Sequence, residues 1–279
     1  MKFNQLSSKL IVLIGLLSYI SLIHSSNVIA AEELVFATPP TQSAQQTLTN
    51  YQPLVDYLSK ASGKKITIKP AKTFYQYARD MRAGKYDLVF DGPHFIKYRL
   101  DKLEHVVLAK QPGDLRFVIV VKNDSPIRTL NDLITKGVCS PSTPHLGTLT
   151  FLELFPNPMR QPELKPVQGF GAALNCIDNG KSHAAVLRDK YWNKRVKNKD
   201  DYRVIHMTER KMPARGVTIS SSVDKQTRSK IAKALVDVKG NQYLQKAFST
   251  IGGSRFVVAQ QREYDGLEEL LQIIWGFHI

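Results

Sequence analysis

Short apolar strands alternate with helices along most of this chain, and that alternation restricts the folds open to it. Between residues 33 and 109 the pattern predicts four strands, with a helix after each of the first three. The apolar residues of the first helix recur every three or four positions: Leu48, Tyr51, Leu54, Val55 and Leu58. The same order returns on a smaller scale between residues 129 and 189. We therefore expect an α/β fold of two lobes, each a mostly parallel sheet flanked by helices.

The order of the elements also predicts how the chain divides between the lobes. A strong apolar strand ending at Val121 is interpreted as the first crossover, and strands between residues 203 and 220 return to the first lobe. The predicted first lobe comprises residues 31–121 and 217–279, and the second, inserted lobe comprises residues 122–216. One lobe split by another, with hinges near Val121–Asn123 and Gly216–Ser220, would enclose a cleft that can open and close.

The first 30 residues have the pattern of a targeting segment. Lys2 and Lys9 precede an apolar run, Leu10–Leu17, and small residues follow at Ala30 and Ala31. This order predicts a signal peptide over residues 1–30 and a periplasmic location. The alternative, an uncleaved membrane anchor, is disfavoured because the apolar run is short for a membrane span. No lipobox cysteine follows the segment, so no lipid anchor is expected.

Charge and cysteine content limit the partners. The net charge is +15, and removing Lys2 and Lys9 leaves +13. That charge suits an anionic ligand, although a basic chain can also simply have a solvated basic surface. The densest basic run, Lys190–Arg203, matches no nucleic-acid motif, so no nucleic-acid partner is expected. Cys139 and Cys176 allow one disulfide or two thiols, and without a Cys-x-x-Cys pair no structural metal is expected.

The stretch Val138–Thr150 predicts a strand, a proline-containing turn and a helix that starts near His145. The first amides of such a helix have no internal partners and form a site for anions. Gly147 would let a ligand approach the backbone. The hydroxyl groups expected around this helix start belong to Ser140, Ser142, Thr143 and Thr148. The alternative is an ordinary strand–turn–helix joint with Ser and Thr caps.

Other predicted strand ends should face the same cleft, because open α/β sheets bind ligands outside the carboxyl ends of their strands. The candidates at these ends are Thr38, Asp91, His94 and Asp189. A protonated His94 or His145 would add charge-assisted hydrogen bonds to an anion, or either ring could cap or pack. Asp91 could bind a ligand amine or cap the helix that follows it. Tyr75 could stack on a ligand or belong to the core.

Four segments carry a further pattern: a helix, an Ala-Gly-x-x-Asp turn, a strand and a Gly-Pro pair. They are Tyr51–Leu58, Phe74–Asp87, Gly92–Pro93 and Thr129–Leu133. With these segments the chain resembles the phosphonate-binding periplasmic proteins of ABC importers, a family of type II solute-binding proteins. The resemblance extends over nearly the whole mature chain and implies the type II fold with two hinge crossovers. It also implies that Ser142–His145 hold a phosphonate, phosphate or phosphite head group.

The implied function is that of an exported protein that captures a small anionic ligand and delivers it to an ABC permease in the inner membrane. A periplasmic sensor feeding a membrane receptor or a histidine kinase would use the same ligand chemistry. An exported enzyme is a third possibility, but no Gly-x-Ser-x-Gly, His-Glu-x-x-His or Walker motif is present. The expectation is therefore a monomeric binding protein without a cofactor.

Overall fold

The computed structural model describes residues 33–275, except for residues 199, 238–243, 246–247, 249–250, 252 and 254. The predicted signal peptide lies outside the described residues. The strands are β1 Leu34–Ala37, β2 Ile66–Ile68, β3 Leu88–Asp91, β4 His105–Lys110, β5 Asp114–Leu115, β6 Phe117–Lys122, β7 Gly137–Pro141, β8 Glu163–Val167, β9 Ala184–Arg188, β10 Tyr202–Met207, β11 Met212–Pro213, β12 Gly216–Ser220 and β13 Val257–Val258.

The helices lie between these strands in the predicted alternation. They are α1 Ala44–Ser62, α2 Phe74–Arg82, α3 Pro93–Lys102, α4 Leu146–Glu153, α5 Phe170–Asp178, α6 Asp189–Arg195, α7 Lys225–Val236 and α8 Glu269–Trp275. Local chemistry sets their ends. The hydroxyl of Ser43 accepts the N–H of Gln46 at the start of α1, and Gly63 ends that helix in the left-handed conformation, at φ 74°. Within the described residues, no helix has both the length and the apolar character that a membrane span requires.

Two mixed sheets form the framework. The six-stranded sheet has the order β13-β4-β12-β3-β1-β2, and the five-stranded sheet has the order β10-β6-β9-β7-β8. Each contains a parallel trio, β2-β1-β3 in one and β8-β7-β9 in the other. Each trio then meets an antiparallel strand, β12 or β6. Most strands of each sheet nevertheless run in one direction, four of six in the first sheet and four of five in the second, as the predicted mostly parallel α/β fold requires.

The antiparallel strands β6 and β12 each interrupt the common strand direction at the same place in their sheet. The strands β6 and β12 both begin at a crossover, on the side where the parallel strands end, so they run the opposite way. Because β6 pairs with β9 and β10, Phe117–Lys122 belongs to the second sheet and not to the predicted first lobe. Between the two sheets, β5 and β11 pair as a small antiparallel ribbon.

The deepest polar cluster lies behind the end of β3. The Nε of Arg99 is 3.1 Å from Oδ2 of Asp91, and both side chains are buried. The hydroxyl of Tyr77 donates to the same oxygen at 2.5 Å, and Nη2 of Arg99 donates to that hydroxyl at 3.0 Å. The guanidinium also lies over the ring of Tyr86, 5.9 Å from its centroid. Each charged group is therefore paired, as burial requires.

Cys139 and Cys176 form a disulfide that joins β7 to α5 across 37 residues of sequence. In the chain-entropy account, closing a loop of this length should stabilise the folded state by about 3–4 kcal/mol. We predict that replacing both cysteines by alanine lowers the free energy of unfolding by that amount, measured by urea denaturation. Dithiothreitol should lower the stability of the native protein and leave the double variant unchanged. A difference below about 1 kcal/mol would contradict the prediction.

Candidate functional site

A cavity of about 680 Å³ lies where the carboxyl ends of strands from both sheets meet. From the six-stranded sheet it is lined by Pro39–Thr41, after β1, and by Gly92 and His94, after β3. From the five-stranded sheet it is lined by Pro141–Leu146, after β7, and by Arg188, at the end of β9. The topology therefore brings together the strand ends that the sequence singled out.

The predicted site residues divide into two groups. Five of them line the cavity: Tyr75, His94, Ser142, Thr143 and His145. The other six do not: Thr38, Asp91, Ser140, Gly147, Thr148 and Asp189. The residues of the second group form hydrogen bonds or packing contacts within the protein.

The hydroxyls of Ser140 and Thr148 bond to each other instead of facing the cavity. Their oxygen atoms are 2.6 Å apart, and Thr148 also donates to the carbonyl of Pro141. Both residues are buried. These contacts fix the end of β7 against the first turn of α4 and give both hydroxyls partners within the protein.

The start of α4 is closed by the protein itself. The N–H of Gly147 donates to Nδ1 of His145 at 3.1 Å, and the N–H of Thr148 donates to the carbonyl of His145 at 2.9 Å. A Cβ atom on Gly147 would lie 2.7 Å from the ring of Phe117. The absence of a side chain at Gly147 therefore makes room for the ring of Phe117.

The remaining three residues are also held by internal contacts. Asp91 is fully buried and pairs with Arg99, so it is not available to a ligand amine. The hydroxyl of Thr38 donates to the carbonyl of Phe90 at 3.0 Å. Asp189 is the first residue of α6, where Oδ1 accepts the N–H of Lys190 at 2.6 Å. The described structure thus gives all three residues partners within the protein.

His94 and His145 line the cavity as neutral rings. Burial lowers the pKa of His94 to about 3, although its bond to Pro144 acts in the other direction. Burial also lowers the pKa of His145 to about 4, with further lowering by the charges of Arg215 and Arg188. Both rings are therefore neutral at pH 7 in the protein without ligand, and a charge-assisted bond from either would require an anion that raises its pKa. Because Nδ1 of His145 accepts an N–H, the proton of that neutral ring is on Nε2.

His94 joins the two sides of the cavity. Its Nε2 lies 3.0 Å from the carbonyl oxygen of Pro144. His94 belongs to α3, which packs on the six-stranded sheet, whereas Pro144 belongs to the turn between β7 and α4 of the five-stranded sheet. As a carbonyl only accepts, the neutral ring donates through Nε2–H.

Arg215, which the sequence reasoning missed, lies directly before β12 and lines the cavity. Its Nη2 donates to the hydroxyl of Thr38 at 2.9 Å and to the carbonyl of Phe90 at 3.2 Å. Its guanidinium lies 4.0 Å from the centroid of the Phe90 ring. These partners are neutral, and none of the described carboxylates forms a salt bridge with it. Arg215 therefore brings to the cavity a positive charge without a direct ion pair, although this charge also acts against burial, which raises the pKa of Asp91.

Arg188 brings a second positive charge from the other sheet. It is the last residue of β9, opposite Phe117 on β6. Its Nε is buried and has no hydrogen-bond partner among the described residues. Burial lowers its pKa, and so does the charge of Arg215, whereas Asp189 acts in the opposite direction. Two guanidinium groups are thus close enough to repel each other across the cavity.

Aromatic side chains form part of the remaining cavity wall. The ring of His145 meets those of Phe117 and Phe170 edge to face, with centroids 6.1 and 5.6 Å apart. Phe74 and Tyr75, from the start of α2, line another part of the wall, and Tyr75 is 69% exposed. Within the described part of the chain, no Asp or Glu lines the cavity. The described residues also contain no cluster of three or more potential metal ligands.

This arrangement can bind an anion, since two arginines converge on a cavity that has no acidic lining residue in the described chain. The sequence profile for the periplasmic substrate-binding proteins of phosphonate ABC transporters matches residues 36–264. The chain belongs to this family. Among curated proteins, none matches it in sequence.

Several solved structures share the fold of this chain. A Prochlorococcus marinus phosphonate-binding protein, solved with methylphosphonate, has 15% identity and a TM-score of 0.71, with 87% of this chain and 98% of that one aligned. A Xanthomonas citri protein bound to ATP has 16% identity and a TM-score of 0.70, with 87% and 97% aligned. A Pseudomonas aeruginosa component of a phosphonate ABC transporter has 13% identity and a TM-score of 0.66, with 85% of each chain aligned.

The neutral histidines of this substrate-binding protein lead to a prediction about pH. Burial lowers the pKa values of His94 and His105 to about 3 and that of His145 to about 4. Below pH 6.5 the unfolded chain gains protons at these positions and the folded chain does not. Lowering the pH from 7 to 5 should therefore reduce the free energy of unfolding, by up to about 2 kcal/mol for each histidine.

Urea denaturation between pH 5 and 7 measures this effect. The carboxylates with lowered pKa values, such as Asp132 and Asp224, stay ionised over this range and contribute little to the change. His94→Asn should show a shallower dependence on pH than the native protein. Equal slopes for the two proteins would contradict the assignment of His94 as a neutral buried ring.

Proposed function

We propose that this substrate-binding protein captures a small oxyanion, a phosphonate, phosphate or relative, between Arg188 and Arg215 and delivers it to an ABC permease. The observation that carries the proposal is the pair of guanidinium groups from different sheets in one cavity. The flat donor array of each guanidinium matches two oxygens of a phosphonate or phosphate. The neutral partners of Arg215 orient it without cancelling its charge.

In this proposal the two sheets belong to lobes that close on the ligand. The first lobe is built on the six-stranded sheet and the second on the five-stranded sheet, with the ribbon of β5 and β11 as the hinge. Closure brings Arg188 towards Arg215, and their repulsion opposes it. A bound anion attracts both groups and so offsets the repulsion. Closure is thereby coupled to the presence of ligand, and the bond from His94 to Pro144 holds the closed form.

The same proposal includes export by the predicted signal peptide and action in the periplasm as a monomer. It includes no chemical step. The histidines at the cavity are buried and neutral, one ring nitrogen of each is already hydrogen-bonded, and no described carboxylate lines the cavity to act with them. In this proposal the cavity residues bind the ligand and exclude water from it. The described cavity residues offer no acid and base that could act as a pair.

A titration with simple anions tests this proposal. Urea unfolding would be measured with inorganic phosphate, methylphosphonate, sulfate or acetate present, and with arginine amide as a cationic control. An anion at 100 times its dissociation constant should add roughly 2.7 kcal/mol to the free energy of unfolding. If only cationic or uncharged compounds stabilise the protein, the proposed anion site is wrong.

A further inference from the structure

The cavity has more room than an oxyanion alone requires. At about 30 Å³ for each water molecule, a volume of about 680 Å³ holds roughly twenty waters. Inorganic phosphate and methylphosphonate have five non-hydrogen atoms each, so either would leave most of this space filled by water. The two arginines account for one end of the ligand, and the remaining volume belongs to a substituent on it.

Aromatic side chains form the wall that such a substituent would meet. Phe170 is half-buried at the first position of α5, and its ring contacts His145 and Tyr191, each at 5.6 Å between centroids. Phe117 is 3% exposed and fixed by the close approach of Gly147. Phe74 and Tyr75 line the cavity from the start of α2. Aromatic rings favour another flat ring, stacked with an offset or edge to face.

The positive charges of the cavity disfavour a ligand that carries a cationic substituent. An ammonium group on the ligand would meet the charges of Arg188 and Arg215, and no described acidic side chain lines the cavity to balance it. Two acidic residues lie next to cavity residues in sequence, and each already has a partner in the protein. Asp91 pairs with Arg99, and Asp189 accepts the N–H of Lys190. A cationic substituent would therefore be desolvated without a partner.

We infer that the ligand is an anion joined to an aromatic or other flat apolar ring and lacking an ammonium group. The inference rests on the proposed function, because it uses the same cavity and the same two arginines. It narrows the ligand to anions that carry an aromatic ring: aryl or heteroaryl phosphonates, phosphate esters or carboxylates.

Calorimetric titration with three phosphonates of graded substituent tests the inference. Phenylphosphonate should bind at least tenfold more tightly than methylphosphonate. 2-Aminoethylphosphonate should bind no more tightly than methylphosphonate. In Phe170→Leu the ratio of phenylphosphonate to methylphosphonate affinity should fall at least fivefold. Lys190→Met, which removes an exposed residue outside the cavity lining, should keep the native ratio. Benzoate and phenyl phosphate then show whether carboxylates and esters are accepted as well.

The outcomes separate the inference from the proposed function. Methylphosphonate or 2-aminoethylphosphonate binding as tightly as phenylphosphonate would overturn the inference and leave the anion site in place. If no anion binds at all, both are wrong. Should Phe170→Leu fail to fold, Tyr75→Ala serves instead, because Tyr75 is 69% exposed. An unchanged affinity ratio in both variants would overturn the aromatic contribution.

Discussion

Replacing Asp91 by alanine should lower the free energy of unfolding by about 3–5 kcal/mol. The substitution removes the carboxylate that pairs with Arg99, whose side chain is fully buried. The guanidinium would keep its charge and have only the hydroxyl of Tyr77 and the rings beside it as partners. Removing one member of a buried ion pair leaves the other desolvated and unpaired, which is more destabilising than losing both.

The matched control replaces the whole cluster. Asp91→Leu, Tyr77→Phe and Arg99→Met together remove the charges and the hydroxyl and leave apolar side chains of similar length. This triple variant should be destabilised less than Asp91→Ala, because it leaves no buried charge without a partner. Urea denaturation at pH 7 measures both. A loss below 1 kcal/mol in Asp91→Ala would show that Arg99 does not depend on the carboxylate.

Arg188→Met should change ligand binding and stability in opposite directions. Truncating one partner of a charge-assisted contact loses 2–5 kcal/mol of binding energy, so methylphosphonate affinity should fall about 30-fold or more. The unliganded protein should become more stable, by about 1 kcal/mol, because Nε of Arg188 is buried without a partner. Lys190→Met removes an equal charge two residues away, outside the cavity lining, and should change neither quantity appreciably.

Arg215→Met provides the contrast. This substitution should weaken anion binding as much as Arg188→Met does. Unlike Arg188→Met, it should destabilise the unliganded protein, because the arginine's bonds to Thr38 and Phe90 and its contact with the Phe90 ring are lost. Urea unfolding with and without methylphosphonate measures both effects. If Arg188→Met destabilised the unliganded protein as much as Arg215→Met does, Arg188 would be a structural residue.

The strand ends at the cavity could be predicted from the sequence, because each comes directly after a short buried apolar run. That pattern placed His94, Ser142 and His145 at one edge of the fold. The packing of Phe117 against Gly147 could not be predicted in the same way. Phe117 is 30 positions before Gly147 in sequence and reaches it only because β6 belongs to the second sheet.

Arg215 is the clearest residue that sequence reasoning missed. Its partner Thr38 is 177 positions away, and no local pattern joins an arginine before one strand to a threonine after another. Asp91 was misread for a similar reason, since Tyr77 and Arg99 come from two different helices. A charged residue directly before a strand that returns through a crossover is a signal that would have suggested Arg215.

A crystal structure of the protein grown with phenylphosphonate tests the central claim most directly. The account predicts phosphonate oxygens at hydrogen-bond distance, about 2.7–3.2 Å, from the guanidinium groups of both Arg188 and Arg215. It also predicts the phenyl ring against Phe170. A phosphonate bound only at the Ser142–His145 turn, or outside the cavity with the two guanidinium groups still facing solvent, would contradict it.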